Sequence, residues 1–364
     1  MKKVSLFLLL AIVHVCISYS QDEVKDYEFK YGQLQINHTS KKVFQEIMEI
    51  EGVEDKEVSI TKLVTQEDFD NVCSNLPWIK KLEVGRNENI TDISSLAKLK
   101  SLESLNLRGL KASEEKPFDL APLSKLTNLK KIEFYATKVT NTDALKSLVN
   151  LTYVSLYMSA VSSIDFLKST PEVTYLSLYG FEHTFVNYEP VTGLKKLEEL
   201  DIYMNKQASD ENLAVLKSLT NLKKISMSNN KIATSLDFLE NCHQLEEINA
   251  SWCRNLEDFS ALYNMKNLKT LKVSDSKLTN LDMIGETCTL ENIDISGTQV
   301  TDISKLAPCT KLSSIDISET EIKDISPLYN TEKIWSLEVS PDVPQEQIDK
   351  LKSLQPKIRI SVDE

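Results

Sequence analysis

One pattern constrains this chain more than any other. Leu-x-x-Leu-x-Leu, or a close apolar variant, returns along most of its length. Units begin at Ile79, Leu102, Leu129, Leu151, Val173, Leu197, Leu222, Leu245, Leu268, Leu290, Leu312 and Ile334. Most intervals are 22 or 23 residues, and the longest is 27. A period of that size means a stack of small supersecondary units, each touching only its neighbours. One unit cannot bury its apolar side chains alone, whereas stacking on both sides can.

The unit "LENIDISGTQVTDISKLAPCTK" illustrates the physics. The alternation Ile293, Asp294, Ile295 predicts a short strand with one buried face. Thr298 follows at a turn position where other units carry Asn87, Asn205, Asn230, Cys253 and Thr320. A small polar group there is expected to hydrogen-bond backbone groups of the neighbouring turn. Val300, Ile303 and Leu306 then point inward again.

With "ITDISSLAKLKSLESLNL" from Ile90, "VTDISKLAPCTKLSSIDI" from Val300 and "IKDISPLYNTEKIWSLEV" from Ile322, the pattern resembles leucine-rich repeats, of the 22-residue bacterial kind found in internalins. The resemblance covers residues 79–357, about twelve units. It implies an α/β solenoid: a curved array with a parallel concave β-sheet and short helical or extended convex segments. "IRISV" predicts a terminal strand and tail over 358–364.

The ends differ. "MKKVSLFLLLAIVHVCISYSQD" has two lysines, an apolar run too short to span a membrane, and small residues Ser18 and Ser20 before Gln21. It reads as a secretory signal peptide over residues 1–20, with lipidation at Cys16 as the alternative. The expected destination is the periplasm, the cell surface or the medium of a bacterium. No later run predicts a membrane span. Residues 21–78 read as an N-terminal cap over the first unit's open core. Val43, Ile47 and Ile50 have helical spacing, "EVSITKLV" suits a strand, and Thr65 with Asp68 forms a capping-like start to a second helix. "PQEQIDKLKSLQPK" predicts a helix from about Gln345 to Leu354.

Strand alternation assigns the concave face. Positions four and six of each unit point inward, so positions three, five and seven point out. In the fourth unit these are Tyr153, Ser155 and Tyr157, and in the fifth Tyr175, Ser177 and Tyr179. Tyr135 and Tyr203 occupy position seven of the flanking units. With strands about 4.8 Å apart, Tyr135, Tyr157, Tyr179 and Tyr203 are expected to form a ladder of rings. Tyr153 and Tyr175 form a shorter second column, with Ser155 and Ser177 as a hydroxyl-bearing floor. Met158, Phe181 and Met204 flank the ladder, and Trp252 is expected to extend the aromatic surface. Tyrosine offers large contact area, little side-chain entropy and a polar tip, so these residues are the candidate partner-binding site. Plain cross-strand stabilisation is the competing explanation.

The partner class follows by exclusion and analogy. Net charge is −12, which argues against nucleic acid. No phosphate loop, metal-ligand spacing or nucleophile–histidine pair is recognisable; His183 near the patch has no Cys or Ser nucleophile with a supporting acid beside it. No cofactor is expected, and an enzyme is not. Five cysteines remain after the signal, an odd number with no C-x-x-C, so neither a disulfide framework nor a zinc site is expected. The concave face is therefore read as gripping a protein or peptide, as the resemblance implies. A glycan or cell-wall ligand, or a purely structural envelope role, is the alternative.

Overall fold

A computed structural model describes residues 24–110, 116–180, 188–205, 208–285 and 288–363. The expected signal peptide, Phe181 and His183 lie outside the described residues. Among the described residues, no helix is long and apolar enough to cross a membrane.

Sixteen strands form one sheet in chain order. It opens with an antiparallel hairpin, Tyr27–Lys30 against Gln33–Ile36. Every later pairing in it is parallel, and the register never slips. Gln33 pairs with Glu57, Glu57 with Lys81, and Lys81 with Ser104. The same row runs on through Lys131, Tyr153, Tyr175 and Glu199 to Ser336 and Arg359. Parallel pairing thus reaches back to Gln33, well before the first Leu-x-x-Leu-x-Leu unit at Ile79. "QLQI" and "EVSI" supply the inward pair without the leading leucine. Their convex segments are full α-helices, Lys41–Met48 and Gln66–Asn75, where later units use short 3-10 helices such as Ser94–Lys98 and Asp165–Ser169. The C-terminal helix spans Gln345–Leu354, matching its sequence pattern, and the last strand is Arg359–Val362.

Positions one, four and six of each unit are buried, among them Leu102, Leu105, Leu107, Leu129, Ile132 and Phe134. A one-residue slip would expose a whole row of these side chains, which holds the register. At position eight the chain turns. Arg86, Ala136, Met158, Met204, Asn229, Trp252, Asp275 and Glu319 all have φ between 46° and 63°. Left-handed backbone costs a non-glycine residue about 1–2 kcal/mol. In return, each of these amides up to Asp275 donates to the next unit's position-seven carbonyl, as Ala136 does to Tyr157 at 2.9 Å and Met158 to Tyr179 at 2.8 Å. Gly180 at this position has φ 111°, and a Cβ there would lie 3.1 Å from the Met158 backbone.

Position nine behaves as its small polar side chains suggest. Asn87 Nδ2 donates to the Thr61 and Val64 carbonyls at 2.8 Å, and Asn205 and Asn230 reach Leu178 and Ile202 of the preceding unit. Thr298 and Thr320 instead bond carbonyls three residues back, Ile295 and Ile317, at 2.6 Å. Cys253 Sγ donates to Met227 O at 3.2 Å.

At the start of the second helix, Thr65 and Asp68 form the reciprocal cap that their spacing suggests. Asp68 also accepts from the Thr39 amide and hydroxyl at 2.9 and 2.5 Å, tying the loop before the first helix to the second. Burial pushes the Asp68 carboxyl up, but these hydrogen bonds from Thr39 and Thr65 outweigh it and hold the group below its ordinary value.

The cysteines require a correction. Cys288 and Cys309 form a disulfide, with Cα atoms 4.8 Å apart. They are 21 residues apart, about one repeat, and stacking places residues one repeat apart side by side. Motif spacing such as C-x-x-C misses this geometry. The bond staples the ninth unit, whose convex segment at 281–285 forms no regular helix and leaves a cavity of about 140 Å³ lined in part by Leu262, Met265, Met283 and Ile284. Cys73, Cys242 and Cys253 are free and buried, and burial pushes their thiols up to about 12, 12 and 11. Reduction by dithiothreitol is expected to destabilise the fold by about 3 kcal/mol, the loop-entropy figure for a closure of this length. Denaturant titration with and without reductant measures it, and Cys288→Ser/Cys309→Ser should abolish the reductant effect.

Candidate functional site: a stacked tyrosine ladder

The tyrosines stand on the concave face in two rows of parallel rings. In the longer row, Tyr135 and Tyr157 have centroids 4.7 Å apart at 8°, Tyr157 and Tyr179 3.8 Å at 9°, and Tyr179 and Tyr203 4.6 Å at 3°. In the shorter row, Tyr153 and Tyr175 lie 4.0 Å apart at 2°. Strand alternation and an unbroken register bring all six together as expected. Position seven of the preceding unit is Arg108, and the units after Tyr203 carry Ser228, Ser251, Ser274, Ser296, Ser318 and Ser340. A single row therefore runs from a cation through four rings to a serine lane.

Face-to-face stacking decides what solvent sees. Each interior ring spends both faces on its neighbours and shows its edge and hydroxyl. The first face of each row is covered by the protein's own cation. The Arg108 guanidinium lies 5.4 Å from the Tyr135 centroid, and Lys131 Nζ lies 4.4 Å from that of Tyr153. The phenols of Tyr153, Tyr175 and Tyr179 are pushed above their ordinary value, by burial first and by neighbouring acids as well; adjacent phenols add to the rise at Tyr153 and Tyr179, whereas the hydrogen bond with Tyr153 partly offsets it at Tyr175. They stay protonated at neutral pH and can donate. Tyr179 OH lies 4.0 Å from Met204 Sδ, so Met204 flanks the ladder.

Two expected contributors take other places. Ser177 is only 1% exposed; its hydroxyl donates to Asp201 Oδ2 at 3.1 Å beneath the rings. Ser155 stays half-buried, so the hydroxyl floor is one residue rather than two. Trp252 sits at position eight, one residue past its row, with φ 63°. It is 51% exposed, pairs with Arg254 at 5.4 Å, and makes no ring contact with the ladder. The left-handed turn carries its side chain to the rim, so it does not extend the aromatic surface.

The sequence places Asp201 among the acids that border the tyrosines, with Glu133, Glu199 and Glu247. It stands at position five between the two rows, accepting from Ser177 and from the Tyr203 amide at 3.0 Å. Burial raises its carboxyl, only partly offset by these hydrogen bonds. Among the described residues it has no ion pair. Glu133 and Glu199, by contrast, are paired with Lys131 at 3.1 Å and Lys224 at 3.6 Å.

No protein-family model matches the chain. Among solved structures, an internalin (InlF) of Listeria monocytogenes aligns over 89% of both chains, with TM-score 0.68 and 23% identity. A leucine-rich-repeat protein of Leptospira interrogans aligns over 90% of this chain and 93% of its own, with TM-score 0.65 and 17% identity. The plant peptide hormone receptor RGFR1, in complex with RGF2, aligns over 93% of this chain but only 57% of its own, with TM-score 0.52 and 16% identity. The fold is thus a leucine-rich-repeat solenoid, similar to those of the bacterial internalins.

Proposed function

We propose that the protein is a non-enzymatic binding module that recognises a protein or peptide through its concave face, centred on Tyr135, Tyr153, Tyr157, Tyr175, Tyr179 and Tyr203. The stacked double row carries this reading. Leucines already fill the core, so folding does not require six tyrosines on one outer wall. Their aligned hydroxyls and ring edges make a rigid amphipathic surface with little entropy to lose on binding. A receptor of the same fold is seen in complex with RGF2, which supports a peptide ligand by analogy. The Cys288–Cys309 bond suits an oxidising compartment and so supports export past the bacterial inner membrane, as the N-terminal segment suggests.

The stacking weighs against a glycan. Sugar rings bind aromatic faces, and here the interior faces are taken. The test is to pan a displayed random peptide library on the full chain and to probe a glycan array in parallel. Recovered peptides that bind wild type but not the Tyr157→Ala/Tyr179→Ala variant support the proposal. Binding confined to the glycan array overturns it.

A further inference from the structure

One ring face in the longer row is left over, and the protein's own contacts indicate what fits it. We infer that the partner delivers an arginine whose guanidinium stacks on the outer face of Tyr203, adding a plane to the ladder, with Asp201 as its counter-charge. This rests on the protein-or-peptide reading above and names the side chain that reading leaves open.

Both rows begin with a cation on a terminal ring, Arg108 on Tyr135 and Lys131 on Tyr153. At the far end of the longer row, no ring or cation among the described residues lies against the outer face of Tyr203. The next side chain in that row is Ser228, whose carbonyl accepts from the Met204 amide at 3.0 Å. Its hydroxyl is turned aside to Asn249 Oδ1 at 2.6 Å. The wall drops there from phenol height to a single hydroxymethyl. Strand spacing of about 4.8 Å leaves the thickness of one planar group beside the ring.

Charge selects that group. Asp201 begins the same turn as Tyr203, two residues earlier, and carries no ion pair among the described residues. Glu247, two strands on, forms none either among those residues, and the chain as a whole is strongly acidic at −12. A carboxylate held without a cation beside a half-buried ring whose outer face carries no ring or cation is complementary to a cation that stacks. Guanidinium suits it better than ammonium, because it is flat, weakly hydrated and donates in its own plane while its face lies on the ring. Tyr175, at the end of the shorter row, differs. Its strand neighbour is Glu199, already paired with Lys224.

The test uses the peptides recovered by panning on the full chain. Those that depend on Tyr157 and Tyr179 are expected to share an arginine. Replacing that arginine by citrulline, which is planar but neutral, should weaken binding about tenfold or more, and by lysine several-fold. On the protein, Tyr203→Leu and Asp201→Asn should each abolish the difference between arginine and citrulline peptides while thermal melts stay close to wild type. The peptide substitutions leave the protein untouched, so a misfolded variant does not confuse the result. Tyrosine-dependent peptides that lack arginine, or tolerate citrulline at every arginine, overturn this inference and leave the binding function standing. Recovery of no tyrosine-dependent peptide overturns both.

Discussion

Replacing Tyr157 and Tyr179 together by alanine is expected to weaken any concave-face peptide by about a thousandfold. Buried aromatic anchors at interface centres each contribute about 2 kcal/mol or more, and two such losses make roughly three powers of ten. These two residues are the right pair because they make three of the ladder's ring contacts: with Tyr135, with each other and with Tyr203. Without them, Tyr135 and Tyr203 stand alone, three strand spacings apart. The fold should survive. Ring pairs add about 1 kcal/mol each beyond burial, and the leucines behind them are untouched. Isothermal titration with a recovered peptide and denaturant unfolding separate the two effects. If the ladder only reinforces the sheet, the midpoint falls while the dissociation constant stays where it was.

A second large effect lies behind the same wall. Asn230→Ala is expected to destabilise the protein by roughly 1–3 kcal/mol, because the Asn205 amide and Ile202 O lose the side chain that serves both and keep only the longer bond to each other at 3.3 Å. Asn230 is 1% exposed. Its Nδ2 donates to Ile202 O at 3.2 Å, and its Oδ1 accepts from the Asn205 amide at 2.8 Å. Both partners belong to the unit that carries Tyr203. Threonine is a natural occupant of this position: Thr298 and Thr320 bond within their own turn, and Thr137 reaches the preceding unit with a single bond to Leu107 O at 3.2 Å, where Asn230 makes two. Asn230→Thr should therefore fall between wild type and alanine. Urea unfolding gives the size of the loss, and hydrogen exchange at the Asn205 amide shows its location. A loss under about 1 kcal/mol for Asn230→Ala would mean that water replaces the side chain at no cost.

Much of this arrangement could be read from residue order. Leucines at positions one, four and six leave the strands one register, and the period of two then puts Tyr135, Tyr157, Tyr179 and Tyr203 in one column and Tyr153 and Tyr175 in another. The small polar side chains at position nine, the Thr65–Asp68 cap and the helix over Gln345–Leu354 follow from equally local rules. The parallel strands before Ile79 were harder to see, because "QLQI" and "EVSI" lack the leading leucine and carry α-helices behind them.

The sequence alone determined which side chains share a row, because inward leucines and an unvarying repeat leave alternation no freedom. What each row offers a partner was settled by packing between neighbouring units. Ring faces turned toward one another, and Ser177 sank beneath them onto Asp201. A left-handed turn swung Trp252 out to the rim, and adjacent units closed Cys288 onto Cys309. Those outcomes depend on distances between neighbouring units and on backbone angles at the turns, and a pattern of apolar positions encodes neither.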